Sequence, residues 1–226
     1  RSSDLNLPLM VKELIGRGAD VNARSTVHNW ERDVTAEPRQ KYMPRGGWTP
    51  LLFAARDGAL DAATVLVESG ADLDLQDPDL VSPVVMAIVN GHFDLAAVLV
   101  ERGANPNLAD SRGMAALYAT IEMRTPPWER SRPDIKENNA LDCVGLMKVL
   151  IEHGADVNVA LKGRTLQRYH AGGPAYFSTG TTPLMRASKF DNRDMVELLL
   201  QHGANVAATQ PDGTTALHHA AHHGRI

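Results

Sequence analysis

The sequence predicts an all-α solenoid: a stack of helix-turn-helix units with β-hairpin tips, two long insertions at those tips and one insertion between helices. Three observations predict it. A short apolar run followed by Gly-Ala-Asp or Gly-Ala-Asn recurs at Gly18-Ala19-Asp20, Gly70-Ala71-Asp72, Gly103-Ala104-Asn105, Gly154-Ala155-Asp156 and Gly203-Ala204-Asn205. A second phrase interlocks with it, at Thr49-Pro50-Leu51, Ser82-Pro83-Val84, Ala115-Ala116-Leu117, Thr182-Pro183-Leu184 and Thr215-Ala216-Leu217. Thr49, Ser82 and Ala115 follow one another at 33-residue intervals, and so do Thr182 and Thr215. A fixed period of this length means units that each touch only their neighbours, which gives a long surface for binding and no central cavity.

Residues 47–79 show how one unit is written. Gly46-Gly47 supplies a turn that tolerates positive φ. Thr49 is an N-cap whose hydroxyl accepts from the first helical turn, and Pro50 takes the first helical position, where a missing N–H costs nothing. Leu51, Leu52, Ala54 and Ala55 form the apolar face of a short helix that ends at Arg56-Asp57-Gly58, with Gly58 as C-cap. Asp61 enters or caps a second helix carrying Ala62, Ala63, Val65, Leu66 and Val67, which Gly70 stops. Ala71 to Leu75 is expected to be extended, and Asp77-Pro78-Asp79 is a turn by composition. Alanines where the helices face each other permit close contact, and leucines and valines fill the seam to the next unit.

This pattern resembles the ankyrin repeat. The carrying residues are Trp48-Thr49-Pro50-Leu51 through Ala54-Ala55, Gly58, the Leu66-Val67 region and Gly70-Ala71-Asp72, and the match repeats along nearly the whole chain. The expected organisation is a half unit 1–24, a tip insertion 25–46, and units 47–80, 81–112 and 113–163, the last interrupted at 124–140. A second tip insertion at 161–180, a unit 180–212 and a partial unit 213–226 follow. The family usually places His after the Thr-Pro-Leu phrase; here Leu52, Val85, Tyr118 and Met185 stand there, and His218 keeps it. Asp191 replaces the Gly that ends the first helix, and Ala115-Ala116 replaces Thr-Pro. The start matches the second half of a unit and the end matches the first half of one, so the chain reads as a segment of a longer protein or of a complex.

Composition narrows the function class. The chain has 226 residues, 43% of them hydrophobic, which suffices for a continuous core, and only 5% aromatic. A formal net charge of -4 offers no global field for nucleic acid or an anionic membrane. Its apolar runs are too short to span a bilayer. One cysteine, Cys143, makes no internal disulfide and marks no redox compartment. The resemblance implies a cytoplasmic setting; the residues themselves specify none.

The insertions carry what is individual. Two extend hairpin tips and so share one edge of the stack, about 25–30 Å apart at the usual interlayer spacing. The third lies between two helices, on the opposite edge, and reads as a Pro-stiffened loop with Trp128 packed locally. The first tip insertion holds His28, Trp30, Arg32, Arg39, Lys41, Tyr42 and Arg45; the second holds Lys162, Arg164, Arg168, Tyr169, His170, Tyr176 and Phe177 and no acid. Arg, Trp and Tyr are the types enriched at binding hot spots. The expected partner is another protein, gripped at the concave face by Trp30, Arg32, Tyr42, Arg45, Trp48, Arg56, Asp57, Asn90, His92, Arg168, Tyr169, Tyr176 and Phe177. Nucleic acid is the lesser alternative, since one basic aromatic loop on an acidic body is a weak footprint. A scaffold segment of a larger enzyme or complex is the second functional reading.

Chemistry finds little support. His218, His219, His222 and His223 offer i, i+4 pairs, but no Cys or carboxylate completes a metal set. His218 falls at the hairpin-bonding place and His219 is expected to face the neighbouring unit. Cys143 has no activating partner in sequence and belongs at the start of a second helix. Asp61, Asp94 and Asp194 recur at one repeat position, which marks them as structural. Gly172-Gly173-Pro174 lacks the Gly-Lys-Ser/Thr of a phosphate loop. No cofactor, metal or catalytic set is expected.

Overall fold

A computed structural model of the chain describes residues 7–28, 45–124, 133–165, 177–190 and 192–222. Among these run ten helices: α1 (Leu7–Gly16), α2 (Pro50–Asp57), α3 (Leu60–Glu68), α4 (Pro83–Val89), α5 (Phe93–Glu101), α6 (Ala116–Met123), α7 (Cys143–Glu152), α8 (Pro183–Lys189), α9 (Arg193–Gln201) and α10 (Ala216–His222). They pair within units as α2 with α3, α4 with α5, α6 with α7 and α8 with α9. The first helices form a row in which α2, α4, α6, α8 and α10 each touch the next, while α1 packs on α3 and α5 on α7. Leu51, Leu52, Val85, Ile88, Leu117, Ile121, Leu146, Met147 and Leu199 belong to the core that runs through these layers. Burying each such side chain is worth about 1.5–3 kcal/mol.

The Thr-Pro-Leu phrase acts as expected. Thr49, Ser82 and Thr182 sit in extended backbone and accept from the amides of Leu52, Val85 and Met185, with Pro following in each case. Ala115 stands in the same place without a side-chain cap. Asp142 caps α7 by accepting from Gly145, and buried Cys143 opens that helix. Gly58 closes α2 in the left-handed region, and a Cβ there would run into the His92 ring of the next unit.

The Gly-Ala-Asx phrase turns where extended backbone is expected. Asp20, Asp72, Asn105, Asp156 and Asn205 each accept, through Oδ1, the amide two residues on. This Asx-turn replaces the run expected for Ala71 to Leu75, because the short side chain offers the backbone a local partner. The residue reached by each turn then bridges layers. Asn22, Asp74, Asn107 and Asn158 accept the amides of Asp72, Asn105, Asp156 and Asn205 of the following layer, at 2.7–2.9 Å. Asn107 and Asn158 also donate Nδ2–H to the carbonyls of Gly154 and Gly203.

At the tips, the expected hairpins are tight turns rather than ribbons among the described residues. One isolated antiparallel bridge joins Val27 and Gly46. Asp77 and Asp110 hold their turns by accepting two amides each through Oδ1. Adjacent tips are tied by Ser111 N–H to Asp79 O at 2.9 Å and Lys162 N–H to Arg112 O at 2.7 Å. The approach is so close that a Cβ on Gly113 would lie 2.8 Å from the Lys162 nitrogen. Leu80 stands one period before Gly113 and holds the same left-handed backbone, φ 63°, without the glycine.

The described stretch of the third insertion, 133–140, is laid against the turn between α4 and α5. Asn139 accepts from Phe93 at 2.9 Å and Asp94 at 3.3 Å and donates to Gly91 O at 2.8 Å. In return Asp94 accepts the amides of Ala140 and Leu141. Asn139 thereby caps α5, whose own N-cap residue His92 makes no side-chain cap bond. Trp128 lies outside the described residues.

Two substitutions test this account of the layers. Leu80→Gly is expected to stabilise the fold by about 0.5–1 kcal/mol, by relieving a left-handed leucine. Asp74→Asn supplies the missing second donor, toward Gly103, and is expected to add about 0.5–1 kcal/mol. Urea unfolding of each variant beside the parent chain measures both; a lower midpoint for either contradicts the corresponding account.

Candidate functional site

The first-helix face divides into an open and a closed region. The open region lies on α2. Arg56 Cζ sits 5.1 Å from the centroids of both the Trp48 and Phe53 rings, which meet edge to face at 5.2 Å. The guanidinium pairs with Asp57, Nε to Oδ1 at 2.6 Å and Nη2 to Oδ2 at 2.9 Å. That bond favours the charged form of Arg56. Phe53 is 40% exposed and the Asp57 side chain 57%. Trp48 is buried, and its indole N–H donates to Asp77 Oδ2 at 3.3 Å, so the tip turn holds the ring under Arg56. Beside the patch, an apolar cleft of about 400 Å³ lies between α1 and the α2–α3 pair, lined by Val11, Leu14, Ile15, Phe53, Ala54 and Leu66 among others. His92 closes the far side, half-buried; burial first, and then the Lys136 charge, hold its pKa below the usual value, against a bond to the Arg56 carbonyl.

The closed region lies over α6, α8 and α10. Arg186 and Glu122 are fully buried, with Nη2 and Oε1 3.9 Å apart. Thr165 donates to the same Glu122 oxygen at 3.1 Å. Arg186 Cζ lies 4.4 Å from the Phe177 ring centroid, with the Tyr118 and Phe190 rings at 5.7 and 5.8 Å. The Phe177 ring also meets Phe190 at 5.8 Å and His219 at 5.6 Å. A relay ties this cluster to the next tip. His219 Nε2 lies 2.9 Å from Gln210 Oε1, Gln210 Nε2 donates to Thr181 Oγ1, and Thr181 Oγ1 donates to Ser178 O. Since an amide oxygen only accepts, the relay puts the His219 proton on Nε2. Deleting either charge of the Glu122–Arg186 pair alone would take a buried opposite charge away from the other, at a cost of about 3–5 kcal/mol.

Of the expected contact residues, Arg56, Asp57 and His92 share one patch. Arg45 is half-buried at the root of the first tip insertion, where its carbonyl accepts from His28 at 2.7 Å. Three expectations are corrected. Trp48, Asn90 and Phe177 are 9%, 6% and 2% exposed, so in this structure none presents its side chain to a partner. Asn90 ends α4 and donates to the Met86 carbonyl at 2.8 Å; Phe177 folds onto its own first helices instead of reaching outward. Trp30, Arg32, Tyr42, Arg168, Tyr169 and Tyr176 lie outside the described residues. Sequence reasoning misses Glu122, Arg186, Lys189 and Gln210. The signal that could find the first three is register: Arg186 and His219 stand four residues after their N-cap positions, as Phe53 does, while Glu122 and Lys189 stand seven after, as Arg56 does.

Among the described residues no group of three or more His, Cys, Asp and Glu could hold a metal ion, and no helix is long and apolar enough to cross a membrane. Stacked short helices with a charged and aromatic first-helix face define a repeat solenoid of the protein-interaction class. The chain belongs to the ankyrin repeat family: the family model described as Ankyrin repeats (3 copies) matches residues 3–110 and 138–226. It is also similar to the B-cell lymphoma 3 protein homolog of Mus musculus, 26% identical over 136 residues, covering 52% of this chain and 27% of that relative's length. Ankyrin repeats generally mediate protein–protein interaction and are typically non-enzymatic.

The closed region predicts a pH response. Burial, reinforced by the Lys189 charge, lowers the His219 pKa from 6.5 to about 4. The unfolded chain therefore binds a proton in this range that the folded chain does not. Stability from this group is complete above pH 6.5 and is lost as the pH falls toward 4. Melting temperature is expected to drop between about pH 7 and pH 5, and to drop less in His219→Gln, which keeps an N–H for Gln210. Parallel slopes for the two proteins would contradict the assignment.

Proposed function

We propose that this solenoid is a non-enzymatic module that binds another protein through the open region of its concave face, with the tip insertions adding to the grip. The observation that carries the reading is the Arg56 stack. An arginine held between two rings and oriented by Asp57 is fixed before any partner arrives, so little rotamer freedom remains to be lost on binding. Phe53 stands exposed next to it, and the apolar cleft continues from its ring. Rigid aromatic and arginine side chains of this kind dominate interface energetics. The insertion residues Trp30, Arg32, Tyr42, Arg168, Tyr169 and Tyr176 are proposed to contact the same partner from the rim. The matched region is 27% of the relative's length, in keeping with a module inside a larger protein.

Proteins retained by the immobilised chain, compared between wild type and the variants Phe53→Ala and Arg56→Ala, test the proposal. A bound protein is expected to lose about 30-fold in affinity with either variant, while the circular dichroism of the solenoid is unchanged. Retention of every partner at undiminished affinity by both variants would exclude this face.

A further inference from the structure

Among the described residues ten large hydrophobic side chains are exposed, and six of them lie toward the two ends of the stack: Leu9, Met10 and Leu14 on α1, and Leu200, Val206 and Leu217 at the far end. The repeat itself says what belongs on them. Met10 and Leu14 stand eight and four residues before the Gly of the Gly-Ala-Asx phrase. In the other units the first of these places holds Ala62, Leu95, Leu146 and Met195, at most 8% exposed, and the second holds Leu66, Leu99, Leu150 and Leu199, at most 4%. Those residues lie on second helices that pack against the first helix of their own unit. Met10 and Leu14, 59% and 53% exposed, lie on a second helix that no described first helix precedes. Leu217 is the converse. It stands two residues after the N-cap position, where Leu51, Val84, Leu117 and Leu184 are at most 3% exposed. It is 77% exposed, on a first helix that no described second helix follows.

The two open faces are thus the two halves of one unit. The cleft of about 400 Å³ that Leu14 lines lies between a second helix, α1, and the first helix of the next unit, α2. Those are the two neighbours that α4 has in α5 and α6, so the cleft has the place of a first helix. At the other end α10 is a helix of that row, seven residues long against eight for α2. We propose that this chain associates head to tail, with α10 of one copy entering the cleft beside α1 of a second copy. The two halves make one composite unit, and the apolar core runs on from copy to copy. Met10, Leu14 and Leu217 then take the burial that their counterparts have in every other unit. The occupant is a second copy because each end carries the half that the other lacks. Such ends are what a solenoid otherwise covers with polar capping repeats. The interface is heterologous, so each added copy leaves the same two faces open and growth does not stop at a dimer. One seam of short helices is a small interface, of the weak and transient class. The proposal does not rest on the Arg56 patch and adds a second kind of partner to it.

The test is analytical ultracentrifugation of the 226-residue chain, as wild type and as the variants Leu14→Glu and Leu217→Glu, both at exposed positions. The average mass of the wild type is expected to rise with concentration and to pass that of a dimer by ~1 mM. Each variant alone is expected to associate at least ~10-fold more weakly. An equimolar mixture of the two variants is expected to regain association and to stop at a dimer. The intact α10 of the Leu14→Glu variant meets the intact α1 of the Leu217→Glu variant, and the pair so formed has only altered faces left. A wild type that stays monomeric at ~1 mM would give the two ends to helices of other chains and overturn the proposal. So would a wild type whose mass stops at a dimer, a variant that associates as the wild type does, or a mixture that stays monomeric. Should a variant not fold, as circular dichroism would show, the wild-type masses alone decide. No other protein and no change at Phe53 or Arg56 enters the measurement, so failure here and failure of the interaction reading above are told apart.

Discussion

Helices of seven to ten residues, as all ten described here are, do not persist alone in water. Every layer of this protein therefore depends on the contact it makes with the next. Core leucines and valines supply most of that contact, but they are not directional. Direction comes from the Asx side chains that follow each second helix. They turn the chain locally, and the residue that each turn reaches takes an amide from the succeeding layer, so two short side chains set both the turn and the stacking register. The tip aspartates Asp77 and Asp110 order the turns on their edge, where backbone bonds join one tip to the next. Two rows of directional bonds flanking a non-directional core hold the layers in one relative position.

On that frame the first-helix positions are free to differ, and they diverge into two environments. At α2 the two face positions are an exposed phenylalanine and an arginine stacked on tryptophan. At α6, α8 and α10 the same positions carry glutamate, arginine, lysine and histidine, now in the region that Phe177 and the rings beside it cover. Burial of a charge is tolerated there because Glu122 and Arg186 face each other and Thr165 satisfies the carboxylate further. The two ends of one face thus offer different chemistry while sharing one backbone geometry.

The repeat is legible because its signals are local. Caps, glycine stops and the 33-residue period depend on neighbours in sequence, so Thr49, Ser82, Thr182 and Gly58 behave as their types dictate. The turn after each second helix reads as extended only when Asp72 is treated as a member of a phrase and not as a side chain able to take the amide of Asp74. The site is legible to a lesser degree. Arg56 and Asp57 are adjacent in sequence and their pairing is local, whereas Phe177 meets Arg186 and His219 from two different layers. Aromatic content alone points Phe177 outward; its destination is set by the charged residues across the layers, which composition does not reveal. Trp48 draws notice for its type, and what the sequence hides is Asp77, which draws its indole inward.

The arm 133–140 runs backward along the chain. It leaves the layer of α6 and α7 and fastens itself to the turn of the layer before it, through Asn139 and Asp94. Between the other layers the described bonds are short bridges from surface to surface, such as those of Asn107 and Asn158. Here a covalently continuous strand crosses the seam and is latched on the far side. Pulled from its two ends, such a molecule would be expected to peel layer by layer up to that seam, and then to surrender the two latched layers in a single, larger step.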